Sequence, residues 1–270
     1  MFRVLISPDA NAGVGACFTD RHGGVTPGDL GSLNLGRTDV DQVSHVEANF
    51  ERVRRAIGGP TLVTLSQVHS SDVVVVDDSF LSGWGPRSHL GSPGAVAPLS
   101  SADAMVTTRA DVALVIRVAD CVPVLLADPT AGVLGALHAG REGYLGGVVT
   151  HTVEAMRDLG ASDIVAWVGP HICGRCYEVD EAMADRVASS HPHVVVASRW
   201  GTRALDLGAG VEQELVDQGV TAVRLDPCTL TTPELHSHRR DGADAGRFAG
   251  IIWRVSGVAS TGVPGAAGTV

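Results

Sequence analysis

Lysine is absent from this chain of 270 residues, so all 20 of its basic residues are arginines. Its absence excludes Schiff-base chemistry on a lysine amine and the lysine-dependent loop of P-loop nucleotide-binding proteins. Aromatic residues make up only 4% of the chain. No apolar run approaches the roughly 18 residues that a membrane-spanning helix needs, and the N-terminus lacks the pattern of a secretion signal. We therefore expect a soluble, cytoplasmic globular protein.

The charge balance and the cysteine count narrow the possible partners. The formal net charge is -10, so the average field of the protein repels nucleic acids and anionic membranes. The 5 cysteines are an odd number in a chain without a secretion signal, which argues against a disulfide framework. We predict a small-molecule substrate, no nucleic acid and no membrane partner, and either a monomer or a homodimer.

Helical and strand patterns are mixed along the chain. Apolar residues at spacings of three and four predict an amphipathic helix over 41–57, and similar patterns predict helices over 148–159, 181–189 and 211–218. Short β-branched runs predict strands at 61–65, 72–76, 112–118, 122–127, 132–137, 164–168, 194–197 and 250–255. Because strands and helices do not strictly alternate, the pattern favours an α+β fold.

Two segments have the composition of irregular chain. The segment 82–101 is rich in Gly, Pro and Ser and predicts a long surface loop. The segment 256–270 predicts a disordered tail. Since no internal repeat or shift in composition marks a boundary, we expect a single domain over 1–255.

Three polar side chains stand at the ends of apolar runs, namely His69, Cys121 and His138. Side chains at strand ends can converge at a rim, whereas those inside strands are committed to packing. Two imidazoles and a thiolate are ligands that zinc accepts, and three protein ligands leave a fourth position for water or substrate. Two alternatives remain open: Cys121 is a nucleophile with one of the histidines as its base, or the three residues are unrelated.

Other charged residues are candidates for supporting roles. Asp103 and Asp120 are candidate proton-transfer or orienting groups, although an aspartate at a strand end is as often a turn-former. Arg21, Arg239 and Arg247 lie among glycines and polar residues, a setting that suits phosphate or carboxylate binding. The alternative for these arginines is a set of solvated turns with surface salt bridges.

The remaining cysteines give a weaker signal. The motif CGRC at 173–176 suggests a redox pair or half of a zinc site, but the sequence has no second CxxC. We therefore favour a structural role for this motif. Cys17 and Cys228 are predicted to be small buried residues.

A series of motifs runs through nearly the whole chain. They are FTDRHGGV (18–25), SLNLG (32–36), QVHSSDVVVVD (67–77), ADAMVT (102–107), VADCVPVLLAD (118–128), GALHAG (135–140), WVGPHICGRCYEVD (167–180), DPCTL (226–230) and SHRRDGADAGR (237–247). Together and in this order they resemble the YfiH (DUF152) family of laccase-domain proteins, which includes peptidoglycan editing factors and purine nucleoside phosphorylases.

The resemblance implies a fold of mixed β-sheets packed between helices and a metal ion held by His69, Cys121 and His138. Zinc is the expected ion, and copper is the second candidate. The resemblance also implies that the CxxC is not a metal site. Catalytic roles are expected for Cys121, Asp120 and Asp103. Contacts to substrate or phosphate are expected from Arg21, Asn34, Gln67, Arg239 and Arg247.

The activity that the resemblance implies is phosphorolysis of purine nucleosides (adenosine, inosine, methylthioadenosine) together with deamination of adenosine. The partners would then be a nucleoside and phosphate. Zinc can activate water for deamination, and arginines can hold phosphate for phosphorolysis. The alternatives are a hydrolase that edits a peptidoglycan precursor (UDP-MurNAc-L-Ser), a polyphenol oxidase, and a non-catalytic metal- or nucleotide-binding module.

One departure from the family pattern follows the histidine of HAG. The family usually continues with Trp, Arg and Gly, whereas this chain has Arg141, Glu142 and Gly143. If the usual arginine contacts phosphate, Glu142 would repel the phosphate unless Arg141 takes over the contact.

Overall fold

The computed structural model describes residues 1–36, 41–90, 99–225 and 227–255. The strands are β1 (Phe2–Ile6), β2 (Val14–Thr19), β3 (Thr61–Val63), β4 (Val73–Val75), β5 (Ala104–Thr107), β6 (Val112–Val118), β7 (Val122–Asp128), β8 (Val133–Ala139), β9 (Val165–Val168), β10 (Val195–Ala197), β11 (Arg203–Leu205), β12 (Thr221–Arg224) and β13 (Phe248–Arg254). The α-helices are α1 (Val43–Ala56), α2 (Asp78–Leu81), α3 (Arg141–Leu145), α4 (Val148–Asp158), α5 (Glu181–Ala188), α6 (Leu207–Asp217) and α7 (His238–Asp241). Within these ranges, no helix has both the length and the apolar character needed to cross a membrane.

Two mixed β-sheets form the centre of the fold. The five-stranded sheet has the order β1-β2-β13-β6-β3, and the six-stranded sheet has the order β12-β9-β7-β8-β5-β4. The pairs β3/β6, β4/β5 and β9/β12 are parallel, and the other pairs in these two sheets are antiparallel. β10 and β11 form a separate antiparallel ribbon. This architecture confirms the predicted α+β class.

The two sheets pack face to face between layers of helix. Phe18 and Ile116 of the five-stranded sheet meet Leu125 and Trp167 of the six-stranded sheet in one apolar cluster. Helix α1 covers the outer face of the five-stranded sheet, and helices α4 and α6 cover the outer face of the six-stranded sheet. The central strands β6, β7 and β8 are thus buried on both faces, which explains their continuous apolar sequences.

Helix α1 shows how the sequence determines its own packing. Val46, Phe50 and Val53 recur at helical spacing, and each is at most 1% exposed against the five-stranded sheet. Burial of a side chain of this size stabilises the fold by about 1.5–3 kcal/mol relative to leaving it in water. The helix therefore begins and ends close to the predicted limits of 41 and 57.

Two connections pass from one sheet to the other and carry polar residues. The segment 119–121 joins β6 of the five-stranded sheet to β7 of the six-stranded sheet, and the segment 64–72 joins β3 to β4 across the same two sheets. Each connection contains a non-glycine residue with positive φ: Asp120 at 95° and His69 at 62°. Such backbone costs on the order of 1–3 kcal/mol and persists only where the surroundings enforce it.

Several predictions of secondary structure need correction. The strands β1, β2, β5, β11 and β12 were not predicted; in β2, for example, the small residues Gly15, Ala16 and Cys17 stand where β-branched residues would indicate a strand. The strand predicted at 194–197 begins only at Val195, because a 3-10 turn at Pro192–Val194 precedes it.

The segment 82–101 is not wholly a surface loop. It contains a 3-10 turn at Ser88–Leu90 in which Leu90 is only 3% exposed and packs against the cluster under α1. Residues 91–98 of the predicted loop and the predicted tail 256–270 lie outside the described residues.

Candidate metal centre

His69, Cys121 and His138 meet at one edge of the six-stranded sheet, and we call this group the histidine–cysteine centre. Their potential ligand atoms all lie within 4.8 Å of one another. Cys121 Sγ is 3.7 Å from His69 Nε2, and the two imidazole rings are 4.9 Å apart at their centroids. His69 is exposed, Cys121 is half-buried and His138 is buried. The structure thus brings together the three residues that the sequence proposed as ligands.

Asp103 hydrogen-bonds to the His138 ring and to the backbone on both sides of His69. His138 Nδ1 donates to Asp103 Oδ1 at 2.7 Å, which leaves Nε2 of the same ring to face Cys121. Asp103 Oδ2 accepts from the backbone N–H groups of Val68 and Ser70, which flank His69. A carboxylate behind a ligand histidine fixes its tautomer and ring orientation. Asp103 is fully buried, and its pKa is lowered because these hydrogen bonds outweigh the effect of burial.

Two glycines of the HAGREG segment allow the loop of His69 to approach. A Cβ atom on Gly140 would lie 2.2 Å from His69 Cδ2, and one on Gly143 would lie 2.7 Å from the carbonyl oxygen of Ser70. Neither separation is sterically possible without movement of the loop. The glycines after His138 are therefore needed for His69 to stand beside it.

Asp120 holds the turn that presents Cys121. Its carboxylate accepts from Thr229 Oγ1 at 2.5 Å and from the backbone N–H of Arg239 at 2.6 Å, and its carbonyl accepts from Ile172 N at 2.9 Å. These contacts enforce the positive φ of Asp120. Within the described residues its carboxylate bonds to neither ligand histidine but to groups that position the Cys121 turn, and a catalytic role for Asp120 stays a prediction.

The Cys121 thiol ionises easily at this position. Burial opposes ionisation, but the charge and hydrogen bonding of the His138 and His69 imidazoles outweigh it and lower the pKa of Cys121 to about 6. The thiolate in turn helps to raise the pKa of His138, although burial acts in the opposite direction. A thiolate is the form of cysteine that binds metals and attacks electrophiles.

The donor set fits a metal ion. One thiolate and two imidazole nitrogens, held by a carboxylate behind one ring, match the three-ligand zinc sites that leave one position open. The same donors also suit copper, so the structure identifies a site able to hold a metal and leaves its identity to experiment.

Arginines surround the centre on the side of Cys121. Burial lowers the pKa of Arg247, and attraction to Cys121 and Asp120 offsets part of this, which places the guanidinium within electrostatic range of both groups. Arg239 lies with its guanidinium carbon 5.3 Å from the centre of the Tyr177 ring, while its side chain donates to the carbonyl of Glu178. Both are candidates for anion binding.

The contacts of Arg141 and Glu142 show how the negative charge of Glu142 is balanced. Glu142 Oε1 accepts from Arg141 Nε at 3.0 Å and from Arg186 Nη2 at 2.7 Å, so two cations balance its charge. Arg141 Nη1 also reaches the Tyr177 hydroxyl at 3.4 Å. Burial raises the pKa of Tyr177 and the charge of Cys121 contributes in the same direction, so this tyrosine lies in the electrostatic field of the centre.

Three other predicted contacts are engaged elsewhere. Asn34 is fully buried, and its amide bonds to Gly36, to Asp41 and to the backbone N–H of Arg247. The Gln67 amide pairs with both backbone groups of Arg117. These bonds hold both side chains within the fold, and direct contacts from Asn34 and Gln67 to substrate stay predictions.

Arg21 also bonds to the protein itself. Its guanidinium donates to the carbonyls of Asp29 and Pro233, and its backbone N–H donates to Glu234. These bonds hold the FTDRHGGV segment against the segment that precedes α7. A direct contact between Arg21 and phosphate stays a prediction.

Sequence reasoning missed a second group of sulfur atoms. Cys173, Cys176 and Cys228 bring their Sγ atoms within 4.8 Å of one another, and we call them the three-cysteine cluster. Cys228 is half-buried and belongs to this group, so its prediction as an isolated buried residue is corrected. The CxxC motif alone did not indicate this cluster, because the third cysteine of the cluster, Cys228, lies far along the chain.

Fold and site together define a class of protein: two mixed sheets packed face to face, with a candidate metal centre where the chain crosses between them. The chain belongs to the laccase-like YfiH (DUF152) family, since a family model described as "Multi-copper polyphenol oxidoreductase laccase" matches residues 15–255. A purine nucleoside phosphorylase of Streptomyces griseus is 47% identical over 241 residues, 87% of this chain and 92% of that protein. One of Streptomyces coelicolor is 44% identical over 241 residues, 87% of this chain and 93% of that protein.

Solved structures agree with the family. A Neisseria meningitidis protein of the DUF152 family has 31% identity and a TM-score of 0.76, covering 93% of this chain and 98% of that one. The hypothetical protein YfiH of Bacillus licheniformis has 28% identity and a TM-score of 0.79, covering 90% of this chain and 93% of that one. These likenesses confirm the family that the motifs indicated.

Proposed function

We propose that this chain is a zinc-dependent enzyme that phosphorolyses purine nucleosides such as adenosine, inosine and methylthioadenosine. The observation that carries the proposal is the histidine–cysteine centre, whose potential ligand atoms lie within 4.8 Å of one another beside an arginine in electrostatic range. The Streptomyces relatives, named purine nucleoside phosphorylases at 47% and 44% identity, support the substrate class.

In the proposed reaction a phosphate oxygen forms a bond to C1′ of the ribose, and the glycosidic C–N bond breaks with its electron pair passing to the purine. The base takes up a proton, and the products are the free purine and ribose 1-phosphate. A zinc ion held by His69, Cys121 and His138 would supply a Lewis acid that stabilises developing negative charge and activates water.

Arg247 is our main candidate for binding phosphate. Its side-chain hydrogen bonds within the described part of the chain both come from Nη1, to the carbonyls of Ala245 and Gly246 at 2.6 and 2.9 Å. Nε and Nη2 therefore remain for an anion, and a guanidinium edge matches the spacing of two phosphate oxygens. Arg141 and Arg239, both beside Tyr177, extend this positive charge along the site.

Asp103 and Asp120 have positioning roles in this proposal. Asp103 holds His138 and the loop of His69, and Asp120 holds the turn of Cys121, so the three ligands keep their geometry while substrates exchange. Cys121 acts as a ligand, since both neighbouring imidazoles favour its thiolate.

Deamination of adenosine is the second activity that we assign to this centre. In that reaction an oxygen from water replaces the 6-amino group, and ammonia leaves. Deamination requires a water molecule that zinc would activate, whereas phosphorolysis uses phosphate as its nucleophile. Deamination needs no phosphate, which separates it experimentally from phosphorolysis.

The test is to incubate purified, metal-replete protein with adenosine and to separate the products by chromatography. With phosphate we expect adenine and ribose 1-phosphate in addition to the products of deamination. Without phosphate we expect only inosine and ammonia. Absence of turnover in both conditions would refute the proposal.

The other functions predict different products. Release of serine from UDP-MurNAc-L-Ser would favour an editing hydrolase, and oxidation of a phenol by copper-loaded protein would favour a polyphenol oxidase. Tight binding of a purine without any product would indicate a binding module.

A further inference from the structure

The three-cysteine cluster joins two segments that are distant in sequence. Cys173 and Cys176 lie in the turn before α5, and Cys228 lies between β12 and α7. The two segments pair at a bridge between His171 and Cys228, and Thr229 N donates to the carbonyl of His171 at 3.0 Å. All three cysteines are free thiols, and Cys176 is only 3% exposed.

The cluster has the chemistry of a soft-metal site. Three Sγ atoms lie within 4.8 Å of one another, and the backbone N–H of Cys173 is directed at Cys228 Sγ at 3.5 Å. Thiols are weak hydrogen-bonding groups, so such crowding brings little stabilisation without a further partner. Thiolate ligands select Zn²⁺ and Cu⁺ over harder cations.

We propose that Cys173, Cys176 and Cys228 form a second metal site that takes a thiophilic cation, Zn²⁺ or Cu⁺, and fastens the two segments to each other. Each thiol that becomes a ligand gives its proton to the solvent. Zn²⁺ would complete a tetrahedron with one further donor such as water, whereas Cu⁺ is satisfied by the three sulfurs alone.

The position of the cluster gives this site a structural task. Ile172, next to Cys173, donates its backbone N–H to the carbonyl of Asp120 at 2.9 Å. Thr229, next to Cys228, donates its hydroxyl to the Asp120 carboxylate at 2.5 Å. The residues that hydrogen-bond to Asp120 in the Cys121 turn thus flank the cluster on both segments. A cation in the cluster would keep these hydrogen bonds in place without contacting substrate.

Metal analysis of the full-length chain tests the proposal directly. After reduction, reloading with Zn²⁺ and removal of excess, we expect two ions per chain in the natural protein by elemental analysis. Cys121→Ser and Cys228→Ser should each retain one ion, and the double variant none. Cys17→Ala, which removes the cysteine that belongs to neither group, should keep both ions.

A second measurement needs no variant that might fail to fold. Alkylation of the natural protein, followed by peptide mass spectrometry, should show Cys173, Cys176 and Cys228 protected together when Zn²⁺ is added. Repeating the loading anaerobically with Cu⁺ and a competing chelator determines which ion is held more firmly.

Three outcomes would overturn the proposal. The first is Cys121→Ser protein that binds no ion, and the second is Cys228→Ser protein that keeps as many ions as the natural chain. The third is a disulfide within the cluster together with no metal binding after its reduction, which would identify a redox pair instead. Loss of nucleoside turnover alone has no bearing on this site, so the result is independent of the proposed function.

Discussion

The histidine–cysteine centre and the three-cysteine cluster both gather three potential metal ligands, but their surroundings differ. The centre combines nitrogen and sulfur donors, has a buried carboxylate behind one histidine, and exposes His69 at its rim. The cluster offers only sulfur and connects two backbone segments. The first arrangement leaves room for a substrate, and the second suits a structural ion.

Thiol acidity separates the two groups further. At the centre, the imidazoles overcome burial and lower the pKa of Cys121 to about 6. In the cluster, burial raises the pKa of Cys176 to about 12, and the neighbouring thiol Cys173 adds to the effect. Cys228 differs, because hydrogen bonding from the backbone N–H of Cys173 outweighs burial and lowers the pKa of Cys228.

The largest effect is expected when the sulfur ligand of the histidine–cysteine centre is removed and the three-cysteine cluster is left intact. Cys121→Ser should lose the ion at the centre and lower kcat/KM for nucleoside by more than about 100-fold, because loss of a ligand exceeds the 10–100-fold effect typical of residues behind the ligands. Metal analysis and chromatographic assay measure both, with Cys17→Ala as the matched control. Stoichiometric zinc with undiminished turnover in Cys121→Ser would contradict the ligand assignment.

A smaller effect is expected from a substitution of Asp103, the buried carboxylate of the histidine–cysteine centre, which has no counterpart in the three-cysteine cluster. Asp103→Asn should weaken zinc binding at the centre by about 10–100-fold, because the amide cannot accept all three N–H groups that the carboxylate now accepts. Competition with a chromophoric chelator measures the affinity. The control is Asp111→Asn, at an exposed aspartate paired with Arg109. Equal affinities in the two variants would show that Asp103 has no influence on the ligands.

The arginines near the centre provide a third contrast. Arg247→Ala should raise KM for phosphate by about tenfold or more, since a hydrogen bond to a charged group contributes about 1.5–3 kcal/mol. Arg52→Ala, at an exposed arginine of helix α1, should leave KM unchanged. Initial rates at varied phosphate test this. An unchanged KM in Arg247→Ala would move phosphate recognition to Arg141 or Arg239.

The smallest effect concerns stability outside both groups. Burial of His236 lowers its pKa to about 4, so the unfolded chain binds a proton that the folded chain refuses between about pH 6.5 and 4. Stability is therefore full above pH 6.5 and is lost as the pH falls. His236 should account for about 1 kcal/mol of the loss between pH 7 and 5.5.

Urea unfolding of the metal-free protein measures this loss. His236→Gln should flatten the pH dependence, and the exposed His22→Gln should not. An unaltered slope in His236→Gln would assign the acid sensitivity to other groups, such as His89, whose pKa burial also lowers to about 4. Either result separates acid effects on the core from acid effects on the metal ligands.

Much of the fold was predictable because burial acts on local patterns. The run VALVIRV occupies β6 over Val112–Val118, and α1 follows its apolar spacing, since each is packed against a sheet along its length. Strand β2 escaped prediction because its small residues carry no β-branched signal and are strand-like only when paired with β1 and β13. Tertiary pairing decided its conformation.

For the candidate sites too, local sequence patterns were predictable and contacts between distant segments were not. Strand-end position and donor chemistry were enough to select His69, Cys121 and His138 as a group that the structure brings together. The supporting contacts were not predictable, because Asp120 depends on Thr229 and Arg239, which only the folded chain brings near. Cys228 was missed for the same reason. Local sequence does not encode which distant segment will lie beside it.

The two connections that supply His69 and Cys121 each pass from the five-stranded sheet to the six-stranded sheet. An ion bound to both residues would therefore join the two connections to each other and, through His138, to β8, so neither connection could move away without releasing it. At a free metal concentration a thousandfold above Kd, mass action adds about 4 kcal/mol to the free energy of unfolding. The supply of metal would then determine the stability of the folded protein in addition to its activity.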